Sequence, residues 1–469
     1  MGGGPAWRPH PVAADVRRRR LRTRREAANR SGSFTERTLE PDRPAGTRRL
    51  TRRRRSLRSG AIPPLVRTAP QTHSQLAVIG GGPAGLRAAE VAVAAGLQVT
   101  LYDGKPSVGR KFLVAGRGGL NLTHGEPLER FLTRYTGPGQ PAELWRELLA
   151  DFTPADLRAW AAELGVETFE ATSGRVYPRA LKAAPLLRRW VERLRSQGVG
   201  FAMNHRWTTL APGPPWRLGF ANGATVTADA VILALGGASW GETGSDGGWT
   251  QILENLGITH HPLAAANCGW EHAWPPEVLA RAEGKPLKNL HVRAGDATAI
   301  GELLITRYGL EGGAIYQLGA ALRAMPEPAI AIDFKPTFTA AQLVAKMQSV
   351  RRDFLGEART RWRLGDAATA LLSRQPWTDV ESLAREVKHC VIRLLRPRPI
   401  DEAISSAGGV CWSETDATLM LKKLPGVFVA GEMIDWEAPT GGYLLQGCFA
   451  TGTRAAKSAA AWLGPACGP

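Results

Sequence analysis

Three short apolar runs, far apart along the chain, each end in a glycine-rich segment. They are Leu76–Ile79 before Gly80–Gly85, Val231–Ala234 before Leu235-Gly236-Gly237, and Val427–Val429 before Ala430-Gly431-Glu432. An unbroken apolar run of this length is typical of a strand that is covered on both faces of a parallel sheet. Glycine then marks the turn by which the strand leaves the sheet, so the pattern predicts three strand–glycine–helix junctions.

The positions around these junctions predict further elements. They are a helix at 84–95, a strand at 98–102, helices that begin after Thr153-Pro154 and at Pro185, and a hairpin joining strands at 216–220 and 224–227. Proline is favoured in the first turn of a helix. Asn222-Gly223 is a strong signal for a tight hairpin turn. The first strand, helix and second strand therefore form one β-α-β unit, which ends at Asp103.

Residues 256–400 have a different texture. Strands are predicted at 289–293, 300–306 and 329–333, and helices at 340–354 and 380–392. We interpret this stretch as a β-rich subdomain with a helical part, inserted into the domain that carries the glycine junctions.

Most of the net charge of +18 comes from the first 72 residues. Residues 1–72 hold 19 Arg and 5 acidic residues, whereas the remaining chain holds 41 basic and 37 acidic residues. An Arg-rich tail with few large apolar residues is expected to be disordered. Three interpretations of the tail stay open: an RNA- or phosphate-binding arm, a transit peptide, or an upstream extension from a misplaced start.

Five cysteines without a CxxC pair make a disulfide framework, a zinc site or dithiol–disulfide chemistry improbable, and they favour the cytoplasm. No apolar stretch is long enough for a transmembrane helix. We expect a small-molecule substrate and no metal, no membrane and, outside the tail, no nucleic acid as partners. The sequence does not determine the oligomeric state.

The spacing Gly80-x-Gly82-x-x-Gly85 after a strand predicts a dinucleotide site. The first glycine permits a tight turn, the second lets a pyrophosphate approach the backbone, and the third lets helix and strand pack closely. The helix N-terminus favours phosphate, and Asp103 is placed to accept hydrogen bonds from the ribose. NAD fits this motif as well as FAD does. The second and third junctions favour FAD, because an extended dinucleotide needs a second strand end and a later segment for its flavin.

A basic, glycine-rich segment at 109–123 suits the diphosphate and the flavin face, since Arg and free N–H groups favour anions. The helix that opens near Gly441-Gly442 is placed to stabilise negative charge on the reduced ring. The residues expected to contact FAD are Gly80, Gly82, Pro83, Ala84, Gly85, Asp103, Arg110, Lys111, Gly118, Asn121, Gly236, Gly237, Gly431, Glu432, Asp435, Gly441, Gly442 and Tyr443.

On these segments the chain resembles a bacterial family of NAD(P)/FAD-dependent oxidoreductases, the aminoacetone-oxidase-like or 3-dehydro-bile-acid-reductase-like flavoproteins. Further matching stretches are Gly301–Thr306, Ala407–Val410 and Thr440–Tyr443. Many members have Arg-Cys-Asn where this chain has Gly119-Leu120-Asn121, so no role for that cysteine carries over. The resemblance implies non-covalent FAD in a branch without an assigned substrate.

The predicted fold class is α/β: a Rossmann-type FAD-binding domain with glutathione-reductase-like ββα layers, split by a β-barrel-like and helical insert. The predicted divisions are a disordered extension at 1–73, the first part of the FAD domain at 74–256, the insert at 257–398 and the second part at 399–463. The insert is expected to form the lid and the substrate pocket.

Three tyrosines are candidates for proton transfer, because each lies in a glycine- or proline-flanked loop: Tyr177, Tyr308 and Tyr443. His260 and His261 lack a partner cluster and are not expected to bind metal. The leading hypothesis is an FAD-dependent oxidoreductase that passes a hydride between flavin and a small or medium organic substrate, with NAD(P)H as a transient donor. The alternatives are an RNA-modifying flavoprotein and a flavin-binding regulator without turnover.

Overall fold

The computed structural model describes residues 72–141 and 143–464. The predicted disordered extension covers residues 1–73; its residues 1–71 lie outside the described residues, and residues 72 and 73 belong to β1 instead. The strands are β1 Thr72–Ile79, β2 Val99–Asp103, β3 Thr123–His124, β4 Thr168–Glu170, β5 Arg175–Pro178, β6 Gly200–Met203, β7 Trp207–Ala211, β8 Trp216–Phe220, β9 Thr225–Leu233, β10 His260–Ala266, β11 Trp270–Glu271, β12 Pro286–Ala294, β13 Ala297–Thr306, β14 Gly309–Glu311, β15 Ala329–Asp333, β16 Cys390–Arg393, β17 Ser405–Val410 and β18 Val427–Val429.

The helices lie between and after these strands. They are α1 Pro83–Ala94, α2 Arg110–Ala115, α3 Leu128–Leu132, α4 Leu144–Asp151, α5 Pro154–Glu163, α6 Ala183–Ser196, α7 Trp249–Asn255, α8 Pro276–Ala282, α9 Gly313–Gln317, α10 Gly319–Arg323, α11 Ala340–Ala345, α12 Phe354–Arg361, α13 Asp366–Leu372, α14 Val380–Lys388 and α15 Tyr443–Leu463. Short 3-10 helices occur at Gly116–Gly118, Gly241–Thr243, Ile400–Glu402, Trp412–Glu414 and Gly431–Met433.

The central sheet has the order β6-β2-β1-β9-β8-β7, and β18 also pairs with β9. Strands β6, β2, β1, β9 and β18 are parallel, whereas β8 and β7 form an antiparallel extension. The α/β fold with a Rossmann-type FAD-binding domain is therefore confirmed. Residues Leu76–Ile79 are at most 1% exposed, as expected for a strand covered on both faces.

One long strand, β9, replaces the two strands predicted at 224–227 and 231–234. Its first half pairs with β8 and its second half with β18, while β1 runs beside both halves. The polar residues inside it suggested a break, but the ladder with β1 holds the backbone extended throughout. The Asn222-Gly223 hairpin is confirmed, with Gly223 at a φ of +84°.

Helices α1 and α15 pack closely against each other at the sheet. A Cβ atom at Gly452 in α15 would collide with the carbonyl oxygen of Ala84 in α1. Small residues at this crossing allow the two backbones to approach, and they bring the third glycine junction next to the first.

The second sheet is antiparallel, with the order β11-β14-β13-β12-β15-β16. The chain that follows β16 returns to β11: Leu395 N–H donates to the Glu271 carbonyl and Arg398 N–H to the Gly269 carbonyl. These bonds join the two ends of the sheet, so the β-barrel-like character predicted for the insert is present. Its apolar core runs from Trp270 to Leu394 and is separate from the core of the central sheet.

Two helices predicted in this region were too long. The stretch 340–354 contains α11 and then a break before α12, where Asp353 has a φ of +48° and caps α12. The helix predicted at 380–392 ends at Lys388, and strand β16 follows it. In β16, Cys390 and Ile392 are fully buried, whereas Val391 is 45% exposed. That alternation is the pattern of a strand. The boundaries between the FAD domain and the insert stay predictions.

A two-stranded antiparallel ladder links the two regions. Strand β10 pairs with β17, with His261 opposite Gly409. Within residues 72–141 and 143–464, no helix has the length and hydropathy needed to cross a membrane.

Candidate active site

A cavity of about 250 Å³ lies at the carboxyl ends of β1, β2, β9 and β18. All three glycine junctions line it, through Gly80–Ala84, Leu235-Gly236 and Ala430–Glu432. The carboxyl edge of a parallel sheet is the usual ligand site of such folds, because the strands end there in loops of variable sequence. The three junctions therefore meet at one site.

The first junction leaves space for a ligand at Gly82. A Cβ atom at Gly82 would have no atom within 4 Å, and no side chain caps the N-terminus of α1. Gly80, in contrast, has a φ of +108°, and its Cβ would collide with the carbonyl of Ala234. A Cβ at Gly85 would collide with the carbonyl of Gly80. Gly80 and Gly85 thus serve packing, and Gly82 opens the helix N-terminus to the cavity.

Asp103 ends β2 and closes one side of the cavity. Its Oδ2 accepts the N–H of Gly81 at 2.8 Å, and its Oδ1 accepts the N–H of Lys105 at 2.7 Å. Burial raises the pKa of Asp103 above its usual value, although these two backbone hydrogen bonds oppose that rise. The carboxylate can accept further bonds, as a ribose contact requires.

An ion pair joins the basic segment to the third junction. The Lys111 ammonium lies 2.7 Å from Glu432 Oε2 and also donates to Ser239 Oγ at 2.7 Å. Ser239 follows the second junction and is fully buried. Lys111 therefore contacts the segments after β9 and β18 at once, and it lines the cavity together with Arg110 and Glu432.

A second polar anchor comes from β17. The Ser406 hydroxyl accepts the N–H groups of Ala238 and Ser239 at 2.8 and 3.1 Å. A Cβ at Gly237 would collide with this hydroxyl. At Gly237 the second junction therefore packs against β17, and Gly237 does not line the cavity.

The third junction packs against α1 and α15. Gly431 has a φ of +76°, and its N–H donates to Thr451 Oγ1 at 3.0 Å. A Cβ at Gly431 would lie 2.9 Å from the Cβ of Ala84. Cys448 in α15 also lines the cavity, and burial raises the pKa of its thiol well above the usual range, so it stays protonated.

Ten of the predicted cofactor residues line this cavity: Gly80, Gly82, Pro83, Ala84, Asp103, Arg110, Lys111, Gly236, Gly431 and Glu432. The lining does not include Gly85, Gly118, Asn121, Gly237, Asp435, Gly441, Gly442 or Tyr443, as far as the described residues show.

The N-terminus of α15 lies beside β3. Gly442 has a φ of +98°, and its Cβ would meet the backbone of Thr123 at 2.5 Å. Two residues before Thr123, the side-chain amide oxygen of Asn121 is buried without a hydrogen-bond partner in the described part of the chain. Gly118 ends the adjoining 3-10 helix. These residues form a second polar region next to α15, apart from the cavity.

Two of the three candidate tyrosines are committed to carboxylates. The Tyr443 hydroxyl donates to Glu126 Oε1 at 2.6 Å, and Tyr308 donates to Glu311 in the insert. Burial is the main reason that the pKa of each hydroxyl is raised above the usual range. Tyr177 differs: within residues 72–141 and 143–464 its hydroxyl has no hydrogen-bond partner, and its ring lies 3.7 Å from the position of a Cβ at Gly119.

Comparison with known proteins decides the family. Residues 74–458 match the family described as the HI0933-like protein Rossmann domain. The chain belongs to this family. The family predicted from the sequence is thereby confirmed.

Among curated proteins, this HI0933-like chain is 29% identical over 415 residues to 3-dehydro-bile acid delta(4,6)-reductase of Clostridium scindens. The alignment covers 82% of this chain and 99% of the relative. It is 25% identical over 387 residues to ribosomal RNA dihydrouridine synthase of Escherichia coli, covering 79% and 94%. Among solved structures, 3-ketosteroid-delta4-(5alpha)-dehydrogenase from Rhodococcus jostii aligns with a TM-score of 0.47 and 17% identity, covering 84% and 98%.

The HI0933-like chain is an FAD-binding flavoprotein and an oxidoreductase. The site fits that cofactor in two respects. The space beside Gly82 admits a pyrophosphate at the helix N-terminus, and Asp103 keeps acceptor capacity for the ribose. No group of three or more His, Cys, Asp and Glu residues that could hold a metal ion occurs among the described residues.

Sequence reasoning missed several polar partners at the site of this HI0933-like protein. Ser239 and Ser406 join the second junction to Lys111 and to β17, but serines after a glycine turn give no local signal of such a role. His261 was set aside for lack of a partner, yet its Nδ1 lies 2.5 Å from Asp435 Oδ2. The two residues are 174 positions apart, and they meet because β10 pairs with β17 and the Asp435 N–H bonds to the Val410 carbonyl at the end of β17.

Proposed function

We propose that this flavoprotein transfers a hydride between its flavin and a small or medium organic substrate, with NAD(P)H as the electron donor. The observation that carries the proposal is the convergence of three separate junctions on one cavity, whose lining includes Lys111 and Glu432. When bound, FAD supplies the hydride chemistry, and the protein positions the substrate and controls protons.

The chain's own residues would hold FAD from the cavity to the polar region beside α15. The open helix N-terminus at Gly82 would take the pyrophosphate, and Asp103 would accept the ribose hydroxyls. Lys111, held by Glu432 and Ser239, would keep one donor for the far end of the cofactor. The N-terminus of α15 at Gly442, with Asn121 beside it, would face the flavin pyrimidine.

We propose a carbon–carbon double bond conjugated to a carbonyl as the substrate group. The names of both curated relatives, a delta(4,6)-reductase of a 3-dehydro-bile acid and a dihydrouridine synthase, denote saturation of such a bond. In the proposed reaction, a hydride adds to the β-carbon and a proton adds to the α-carbon of this group.

RNA modification is a second candidate, supported by the resemblance to the Escherichia coli enzyme over 79% of this chain. Attraction to the RNA phosphates would be weak outside the tail, because the residues after position 72 hold 41 basic and 37 acidic side chains. We therefore rank a small conjugated carbonyl compound first.

The experiment uses the full-length protein under anaerobic conditions. Bleaching of the bound yellow chromophore by NADH and NADPH is followed first, and then its reoxidation by cyclohexenone, by uridine or by transcribed ribosomal RNA. Reoxidation by cyclohexenone supports the leading proposal, and reoxidation by RNA alone supports the second candidate. Binding of FAD without reoxidation by any acceptor supports a flavin-binding regulator.

A further inference from the structure

A histidine–aspartate pair lies next to the third junction. Nδ1–H of His261 donates to Asp435 Oδ2 at 2.5 Å. The Asp435 side chain is 2% exposed, whereas the His261 side chain is 49% exposed. The carboxylate is thus inside the protein and the imidazole reaches outward from it.

The backbone fixes the carboxylate in place. Asp435 N–H donates to the Val410 carbonyl at 3.0 Å, and the Asp435 carbonyl accepts the indole N–H of Trp412 at 2.7 Å. Because Asp435 cannot move freely, the bond to Nδ1 sets the orientation of the His261 ring. Nε2, which has no hydrogen-bond partner in the described part of the chain, then points away from the carboxylate. In catalytic dyads the same arrangement presents Nε2 for proton transfer.

The pair is attached to two of the three junctions. His261 stands opposite Gly409 on the β10–β17 ladder, and a Cβ at Gly409 would collide with the carbonyl of Met433. Three residues before Gly409, Ser406 of the same strand β17 holds the turn that follows β9 by two hydrogen bonds. Asp435 itself follows the cavity residue Glu432 by three positions. The dyad therefore stands at the end of the site where the second and third junctions meet β17.

Two of the three candidate tyrosines are engaged elsewhere. The hydroxyls of Tyr308 and Tyr443 donate to Glu311 and Glu126. The Cys411 thiol lies 3.7 Å from His261 Nδ1, and burial, reinforced by the charges of Asp435 and Glu414, raises the pKa of that thiol. With a raised pKa the Cys411 thiol is a weaker acid than an ordinary thiol, so it is a poor proton donor.

We propose that His261 is the proton donor of the reduction, oriented by Asp435 as a positioning residue; this inference rests on the proposed function. When bound and reduced by NAD(P)H, FAD would supply a hydride to the β-carbon of the conjugated carbonyl compound, and the electron pair of the double bond would move towards the carbonyl. Nε2–H of His261 then delivers its proton to the α-carbon. The substrate gains two electrons and two hydrogens, FAD is oxidised by two electrons, and the half-exposed imidazole regains its proton from water.

The test separates the two half-reactions in a stopped-flow instrument. His261→Ala is compared with His389→Ala, a control because His389 is exposed, does not line the cavity and has no side-chain bond to the dyad among the described residues. We expect His261→Ala to bind FAD and to be reduced by NADH at wild-type rates. Its reoxidation by cyclohexenone should slow by about 100-fold or more, the usual contribution of a positioned acid. Added imidazole should restore part of that rate, and His389→Ala should match the wild type.

Asp435→Asn gives a second readout if His261→Ala folds poorly. It keeps the shape of the side chain but removes its charge, and we expect slower reoxidation that added imidazole does not rescue. Unchanged reoxidation in His261→Ala, while wild-type protein reduces cyclohexenone, would overturn the dyad and leave the proposed function standing. Failure of the wild-type protein to transfer hydride to any conjugated carbonyl compound would overturn the proposed function, and the dyad with it.

Discussion

The Lys111 ammonium lies 2.7 Å from the Glu432 carboxylate, although the two residues are 321 positions apart in the chain. Both residues line the cavity, and the pair joins the segment after the first β-α-β unit to the turn after β18. Their side chains are 24% and 12% exposed, so the interaction is only partly screened by water.

Disruption of this pair should reduce stability in a non-additive way. Lys111→Met leaves the Glu432 carboxylate without its partner, and Glu432→Gln does the same for the ammonium. We expect each variant to lose about 1–3 kcal/mol of unfolding free energy. The double variant should recover part of the loss, with a coupling energy of about 0.5–3 kcal/mol in urea titrations. The exposed pair Arg146–Glu129 is the control, and Arg146→Met should leave stability unchanged; fully additive losses at Lys111 and Glu432 would contradict the coupling.

A bulky side chain at Gly82 should block FAD without harming the fold. The position has a φ of −78°, which any residue adopts, and a Cβ there meets no atom within 4 Å. We expect Gly82→Leu to weaken FAD binding by at least about 100-fold, or roughly 3 kcal/mol, in a fluorescence titration of the apoprotein. Gly365→Leu, at an exposed helix N-cap of the insert, should bind FAD normally. Full FAD occupancy in Gly82→Leu would show that the pyrophosphate lies elsewhere.

Gly80 should behave in the opposite manner. Its φ of +108° disfavours any side chain, and a Cβ would collide with the Ala234 carbonyl. We expect Gly80→Ala to lower the unfolding free energy by about 1–3 kcal/mol or more, because both backbone strain and displacement of β9 contribute. Gly82→Ala, two residues away, is the control and should unfold at the wild-type urea concentration. Equal stability of the two variants would contradict the geometry of the first turn.

Replacing each of the three candidate tyrosines with Phe should change the unfolding free energy by different amounts. Tyr308→Phe and Tyr443→Phe each remove a donor from a carboxylate, so we expect losses of about 1–3 kcal/mol in unfolding free energy. Tyr177→Phe removes a hydroxyl without a partner in the described part of the chain and should stay within about 0.5 kcal/mol of the wild type. A turnover defect in Tyr177→Phe at unchanged stability would support its predicted catalytic role. A large stability loss there would mean that the hydroxyl has a structural partner.

Glu311 should make stability depend on pH. Burial raises the pKa of Glu311, more than the hydrogen bonds from Tyr308 and Tyr316 lower it. A carboxyl whose pKa is higher in the folded protein stabilises it at acid pH, and this contribution is lost as pH rises from the unfolded pKa through the folded pKa.

We therefore expect the stability of Glu311→Gln relative to the wild type to increase in urea titrations as the pH rises above the ordinary pKa of a glutamate side chain, about 4.3. The increase equals about 1.4 kcal/mol per unit by which the folded pKa exceeds the unfolded pKa. Glu357→Gln, which removes a carboxylate on the solvent-facing side of α12, is the control and should show no such trend. A difference that stays constant with pH would mean that Glu311 titrates normally.

Much of the fold could be predicted because its signals are local. Leu76–Ile79 is apolar without interruption, and the structure buries it in the central sheet as expected. Local signals failed where partners decide the outcome. Cys390–Arg393 continues the pattern of the helix before it, and pairing with β15 makes it a strand. The polar positions in β9 suggested two strands, and the continuous ladder with β1 makes one.

By itself, the amino-acid sequence determined the family, the Rossmann-type FAD-binding fold and the approximate extent of several strands in the second sheet. These features depend on glycine conformations and on apolar periodicity, which act over a few neighbouring residues. Only the tertiary structure decided which polar side chains meet, as in Lys111 with Glu432 and His261 with Asp435. Such contacts follow from strand order and ladder register, and no local pattern encodes the distance between residues so far apart in the chain.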